Sequence, residues 1–122
     1  MNLAERANAR LAEWPTLSRG RACCGARNCL CTGIREVVHF HGDSAADVHL
    51  TWSMIARLLP ALRRSSALTV PCQPSGWVTV RLETRSDIDL LATLVSAALL
   101  AADEAATPEE GGRSEPCSRM PR

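Results

Sequence analysis

The sequence predicts an α+β fold: a two-layer domain with a mostly antiparallel sheet of about five strands and helices packed on one face. Three observations support this prediction. The predicted strands come in consecutive groups joined by tight turns, three segments repeat apolar residues at helical spacing, and 122 residues are enough for one domain with its own core. Grouped strands with short connections favour antiparallel pairing. The predicted order along the chain is α-β-β-β-α-β-β-α.

The first helix is predicted over residues 2–14, because Asn2 can cap it with Glu5 three positions later and apolar residues recur at helical spacing. The proline that follows ends the helix. The segment Thr16–Asn28 is rich in Arg, Gly and Ser without periodicity, which indicates a surface loop. A short strand is predicted over Cys29–Thr32.

A histidine-rich β-hairpin is predicted next, with strands at about Arg35–His41 and Asp47–Leu50. Apolar and polar residues alternate in both segments, which is typical of strands with one buried face. The apolar residues are Val38, Phe40, Val48 and Leu50. A register that places all four on one face also gathers the polar residues on the other face.

The predicted register pairs His39 with His49 and His41 with Asp47, and leaves residues 42–46 as the loop. Directly opposed residues in a sheet have Cβ atoms roughly 4.5–5.5 Å apart. Three imidazoles and a carboxylate would then lie within reach of one another.

The second helix is predicted to begin at a cap on Thr51 or Ser53. Its apolar face comprises Trp52, Ile55, Leu58, Leu59 and Leu62. Pro60 predicts a kink, or two short helices that meet near Leu59, because an internal proline deletes one hydrogen bond. Two strands follow, at about Leu68–Cys72 and Trp77–Glu83.

The last helix is predicted to start with Ser86 at the cap and Asp89 at the reciprocal position. Its apolar surface is wide, so we expect the sheet to cover it, together with a second subunit in a homodimer. The domain is predicted to span residues 1–102. Residues 103–122 are rich in Glu, Pro, Gly, Ser and Arg, and we expect a disordered tail.

Composition argues against several classes of partner. The 14 basic residues are all arginine, and 13 acidic residues bring the net charge to +1, which gives no general attraction to nucleic acid or an anionic membrane. The N-terminus lacks the features of a secretory signal. The longest weakly polar run, Leu90–Ala102, is shorter than the ~20 residues that a membrane span needs. We therefore expect a cytoplasmic protein.

The polar hairpin residues His39, His41, Asp47 and His49 are the first candidates for chemistry. One imidazole could act as a general base oriented by Asp47 while another stabilises an oxyanion. Three histidines and a carboxylate are also a ligand set for zinc, iron or copper. Alternatively, these side chains cover the outer face of a hairpin or satisfy local hydrogen bonds.

Other residues offer weaker signals. Arg27, Trp77 and Arg81 are candidates to bind a substrate, although a solvated basic loop and a core tryptophan are the simpler interpretations. A zinc site on Cys23, Cys24, Cys29 and Cys31 lacks the spacing of paired C-x-x-C motifs, so buried or idle thiols are the preferred interpretation. No metal ligands are assigned.

Four segments resemble the luciferase-domain family. They are Glu-Val-Val-His-Phe-His-Gly-Asp, Asp-Val-His-Leu-Thr, Gly-Trp-Val-Thr-Val-Arg-Leu and the run that begins Ser-Asp-Ile-Asp-Leu-Leu. The resemblance covers about Leu3–Ala102, is tightest over Glu36–Leu100, and includes Cys24-Gly25. The family comprises short bacterial proteins and the C-terminal part of fungal luciferases.

The fungal members oxidise a hydroxypyrone with molecular oxygen, so the resemblance implies an oxygenase-like activity without a cofactor. His39, His41 and His49 match the histidines of the family pattern. The resemblance does not extend to the longer N-terminal portion and membrane anchor of the fungal enzymes. The leading hypothesis is a protein that binds or oxidises an enolic or aromatic small molecule. The alternatives are a non-catalytic binding or dimerisation module and a three-histidine metal-binding protein.

Overall fold

A computed structural model describes residues 2–20, 28–32, 35–70 and 75–104 of the chain. Within these ranges the chain forms three helices and six strands: α1 Leu3–Ala12, β1 Ser18–Gly20, β2 Asn28–Thr32, β3 Arg35–His41, β4 Ala45–His49, α2 Trp52–Arg63, β5 Leu68–Thr69, β6 Trp77–Arg81 and α3 Arg85–Glu104. The strands form one sheet in the order β1-β2-β3-β4-β6-β5, with every neighbouring pair antiparallel. The predicted α+β class is confirmed.

The edge strand β1 departs from the prediction of a loop over Thr16–Asn28. Ser18–Gly20 pairs with β2, with Arg19 opposite Leu30. Three residues are too few to show an alternating pattern, and backbone hydrogen bonds do not depend on the side chains. The described sheet therefore has one strand more than predicted.

The predicted hairpin exists, but its predicted register is wrong by two residues. His39 pairs with Asp47, and His41 pairs with Ala45. The turn is shorter than expected because Gly42 adopts a positive φ of 69°, a conformation that glycine takes without steric cost. A shift of two residues leaves every side chain on its predicted face.

The hydrophobic core lies on one face of the sheet. Helix α3 packs against β3, β4 and β6, and α1 packs against α3. Four buried residues from adjacent strands, Leu30, Val38, Val48 and Val78, lie side by side at the centre of this face. Most of the apolar surface of α3 is buried within the chain, whereas Leu100 is 58% exposed. The predicted homodimer through α3 stays a prediction.

The caps fix where the helices begin. The Asn2 side chain accepts a hydrogen bond from the Glu5 N–H at 2.8 Å, as predicted for α1. The predicted cap of α3 is wrong by two residues, because Asp87 accepts from the Thr84 N–H at 3.0 Å and from the Glu83 N–H at 2.8 Å. Thr84 and Asp87 have the same spacing as Ser86 and Asp89, so the sequence contains two overlapping cap patterns and the helix uses the earlier one.

Helix α2 begins at Thr51, whose hydroxyl accepts from the Met54 N–H at 3.3 Å. It runs through Pro60 as one helix, so the prediction of two pieces is wrong. Pro60 and Ala56 are both exposed, and water can therefore replace the hydrogen bond that the Ala56 carbonyl loses. Trp52, predicted on the apolar face, is 40% exposed.

Helix α3 extends to Glu104, two residues beyond the predicted domain boundary. The rest of the predicted tail lies outside the described residues, as do Arg27, Cys23 and Cys24. Among the helices of the described ranges, none combines the length and apolar character that crossing a membrane requires.

Candidate functional site

The face of the sheet opposite the core carries a group of polar and aromatic residues, which we call the histidine face: Cys29, Cys31, Glu36, His39, His41, Asp47, His49, Trp77 and Thr79. All of them except Glu36 alternate along their strands with the core residues. The group forms because β3 and β4 each carry polar residues at alternate positions, and β2 and β6 extend the pattern on either side.

The histidine face is an interior surface. His39 and Asp47 are completely buried, and His49 is 5% exposed. The side chain of His41 is 15% exposed. Burial of polar groups costs free energy unless hydrogen bonds replace those lost to water. The expectation that these side chains cover the outer surface of a hairpin is therefore wrong.

Asp47 lies at the centre of the histidine face. Its Oδ1 accepts a hydrogen bond of 2.6 Å from the Thr79 hydroxyl, and its Oδ2 lies 3.1 Å from Nε2 of His41. Thr79 is directly opposite Asp47 on β6. The threonine holds the carboxylate, and the imidazole of His41 lies within ion-pair distance of it, although Oδ2 accepts no hydrogen bond in this geometry.

The indole of Trp77 lies between two histidine rings. Its centroid is 4.5 Å from that of His39 and 4.8 Å from that of His49. His49 is the direct partner of Trp77 across β4 and β6, whereas His39 lies one strand further away on β3. Trp77 therefore reaches across β4 and makes the centre of the face aromatic.

Burial changes the protonation of two histidines. It lowers the pKa of His49 to about 4, with a smaller effect in the same direction from the positive charge of Arg35. Burial also lowers the pKa of His39, and the Glu36 carboxylate, whose Oε2 is 3.3 Å from His39 Nε2, acts in the opposite direction. His49 is therefore neutral near pH 7.

The structure brings together all four residues first chosen from the hairpin, and it adds Trp77 to them. Arg81, by contrast, is exposed and pairs with Glu83 at 2.5 Å. Sequence reasoning missed Glu36 and Thr79. Thr79 had a signal, because it shares strand parity with Trp77, but the position of Glu36 depends on a local irregularity of β3.

The fold and this site define an α+β protein with a buried, histidine-lined face on its sheet. Residues 35–98, which comprise β3 through most of α3, match the family model described as Luciferase domain. The chain belongs to the luciferase-domain family. No curated protein and no solved structure matches it significantly.

Proposed function

We propose that the protein acts on a small enolic or aromatic molecule, with His41 as the general base and Asp47 as the residue that positions it. The observation that carries this proposal is the chain of contacts from Thr79 through buried Asp47 to partly exposed His41. A buried carboxylate that orients a more accessible imidazole is the arrangement that enzymes use to prepare a histidine for proton transfer.

The carboxylate also selects the tautomer of His41. Asp47 Oδ2 lies 3.1 Å from Nε2 and accepts no other hydrogen bond, so a small rotation of the imidazole would let Nε2–H donate to it and would favour the form with the lone pair on Nδ1. Nδ1 would then accept the proton from a substrate C–H or O–H group. In this proposal the resulting enolate reacts with molecular oxygen, the chemistry that the family resemblance implies.

The rings of Trp77, His39 and His49 supply an aromatic wall beside this base. Flat conjugated molecules stack on such rings, and neutral His49 can donate or accept a hydrogen bond without placing a charge there. These features favour a planar, weakly polar substrate over a phosphorylated one.

Oxygen consumption with a panel of hydroxypyrones and related enols tests the proposal. We expect turnover by the wild type, and a loss of about 10²–10⁴-fold in kcat for His41→Ala, the usual contribution of a general base. Asp47→Asn should lower kcat more than it raises KM.

The matched control for Asp47→Asn is Asp43→Asn, which changes an exposed aspartate in the turn of the same hairpin. It should leave turnover unchanged. Equal activity of the wild type and His41→Ala would refute the catalytic role. Tight binding of a panel compound without oxygen consumption would instead support the non-catalytic binding module.

A further inference from the structure

We propose that Cys29, Cys31, Glu36 and His39 form a site for one tetrahedrally coordinated divalent metal ion of the zinc class. Possible ligand atoms of Cys29, Glu36 and His39 lie within 4.8 Å of one another, and all three residues are buried. This inference goes beyond the proposed function, which does not depend on a metal and uses neither cysteine. It also differs from the two metal sites considered from the sequence, four cysteines or three histidines.

A β-bulge brings the four side chains together. Residues three apart in a regular strand point to opposite faces, so Glu36 and His39 would be separated by the sheet. In β3 the register shifts: Leu30 pairs with Val38, but the next residue, Cys31, pairs with Glu36. The extra residue reverses the alternation and places Glu36 on the same face as His39.

The bulge creates two neighbouring cross-strand pairs, Cys29 with His39 and Cys31 with Glu36. Two thiols on β2 therefore face an imidazole and a carboxylate on β3. Four donors on two adjacent strands can surround one ion without any movement of the chain termini or of a distant loop.

Two of the donor distances are close to those of a tetrahedral site, whereas Cys31 lies outside the cluster of mutually close ligand atoms and would have to turn its side chain toward the ion. Nε2 of His39 is 3.3 Å from Oε2 of Glu36, and the sulfurs of Cys29 and Cys31 are 3.6 Å apart. Zinc–ligand bonds of about 2.0–2.1 Å to nitrogen or oxygen and about 2.3 Å to sulfur place tetrahedral neighbours about 3.3 Å and about 3.8 Å apart. At 3.6 Å the two sulfurs are not joined to each other by a disulfide bond.

The donor types indicate which ion fits. Thiolate and imidazole ligands favour zinc over magnesium or calcium, which prefer oxygen. Binding would release the two thiol protons to solvent and leave the oxidation state of the metal unchanged. With Cys31 turned toward the ion, four protein ligands would complete a tetrahedron and make a closed, structural site that ties β2 to β3.

Titration of the reduced, untagged full-length protein with cobalt(II) tests the site. We expect one equivalent of cobalt to produce a thiolate-to-cobalt charge-transfer band and the strong visible bands of tetrahedral cobalt. One equivalent of zinc should remove both. A folded wild-type protein that gives no charge-transfer band would overturn the proposal.

Two variants assign the ligands. Cys31→Ser changes a half-buried residue, and should weaken the charge-transfer band and lower zinc affinity by more than about tenfold. Glu36→Gln should lower the affinity while it leaves the band in place. Circular dichroism verifies that each variant is folded. If Glu36→Gln does not fold, the result for Cys31→Ser alone decides whether the proposed site exists.

Two control variants distinguish the competing sites. Cys23→Ser/Cys24→Ser and His49→Ala should both leave the cobalt spectrum unchanged. Loss of the spectrum in the double cysteine variant would point to a four-cysteine site. Loss in His49→Ala, with binding retained in Cys31→Ser, would point to a three-histidine site, and either result would overturn the proposal. The cobalt titrations do not depend on oxygen consumption. The metal site and the proposed catalytic function can therefore be refuted independently of each other.

Discussion

Two neighbouring rows of residues cross the same four strands and differ in every side chain. One row is Leu30, Val38, Val48 and Val78, and the next is Cys29, His39, Asp47 and Thr79. The two rows share the backbone ladder but point to opposite faces. The apolar row meets the helical layer, whereas the polar row belongs to the histidine face.

The comparison separates the source of stability from the source of chemistry. Burial of the apolar row contributes roughly 25 cal/mol for each Å² of apolar surface removed from water. Burial of the polar row costs free energy instead of contributing it. Hydrogen bonds such as that of Asp47 with Thr79 only offset this cost. A buried surface that does not stabilise the fold is a candidate for function.

Truncation of the apolar row should have the largest effect. Leu30 is completely buried in the core, so Leu30→Ala should lower the free energy of unfolding by about 2–5 kcal/mol. Urea unfolding measures this loss. Cys31→Ala, next along the strand and half-buried, is the matched control and should cost less than about 1 kcal/mol when both variants are measured with a chelator that keeps the protein metal-free. If Cys31→Ala lowered the free energy of unfolding more than Leu30→Ala does, the core face would not be the main source of stability.

Acid should weaken the protein through the histidine face. The folded state holds the pKa of His49 at about 4, below its ordinary value of 6.5, so below pH 6.5 the unfolded chain binds more protons. This contribution to stability is complete above pH 6.5 and is lost between pH 6.5 and pH 4, by about 3 kcal/mol in total.

His49→Leu removes the titrating group and retains a side chain of similar size. Urea unfolding at a series of pH values should give a shallower decline for this variant than for the wild type. Part of the decline should remain, because burial also lowers the pKa of His39. Identical declines in the two proteins would show that His49 does not limit stability in acid.

The smallest of the three effects should come from the hydrogen bond that holds Asp47. Thr79→Val preserves the shape of the side chain but removes the donor at 2.6 Å, so we expect a loss of about 1–3 kcal/mol in unfolding free energy. Thr69→Val changes the exposed threonine opposite it on β5, and should change stability by less than about 0.5 kcal/mol. Equal effects would mean that the bond to Asp47 adds nothing to stability.

Much of this architecture could be predicted from local patterns. The alternation of Val38 and Phe40 with His39 and His41 gives both the strand and its two faces, because strand side chains have a period of two. The same regularity made the predicted faces robust to the error in register. The cap at Asn2 was predictable because all of its partners lie within one turn of helix.

The remaining features depend on backbone geometry that the residue types do not specify. The register follows from the conformation at Gly42, and several turn lengths would have kept the same faces. The bulge that turns Glu36 toward His39 coincides with a break in the alternation, the consecutive Val37 and Val38, but such a break does not by itself specify a bulge. The ring contact between Trp77 and His39 spans three strands, so it could not be predicted without knowledge of the order of the strands in the sheet.

The strand order also has a consequence for the sequence of events in folding. Strands β3 and β4 are joined by a short turn, and such hairpins form in about 1–10 μs. Strand β6 reaches β4 only after the chain from residue 50 to residue 76 has folded back, which is a slower, non-local closure. We therefore expect His39, His41 and Asp47 to meet while they are still hydrated. Docking of β6 would then dehydrate the carboxylate, so that the site closes only as folding is completed.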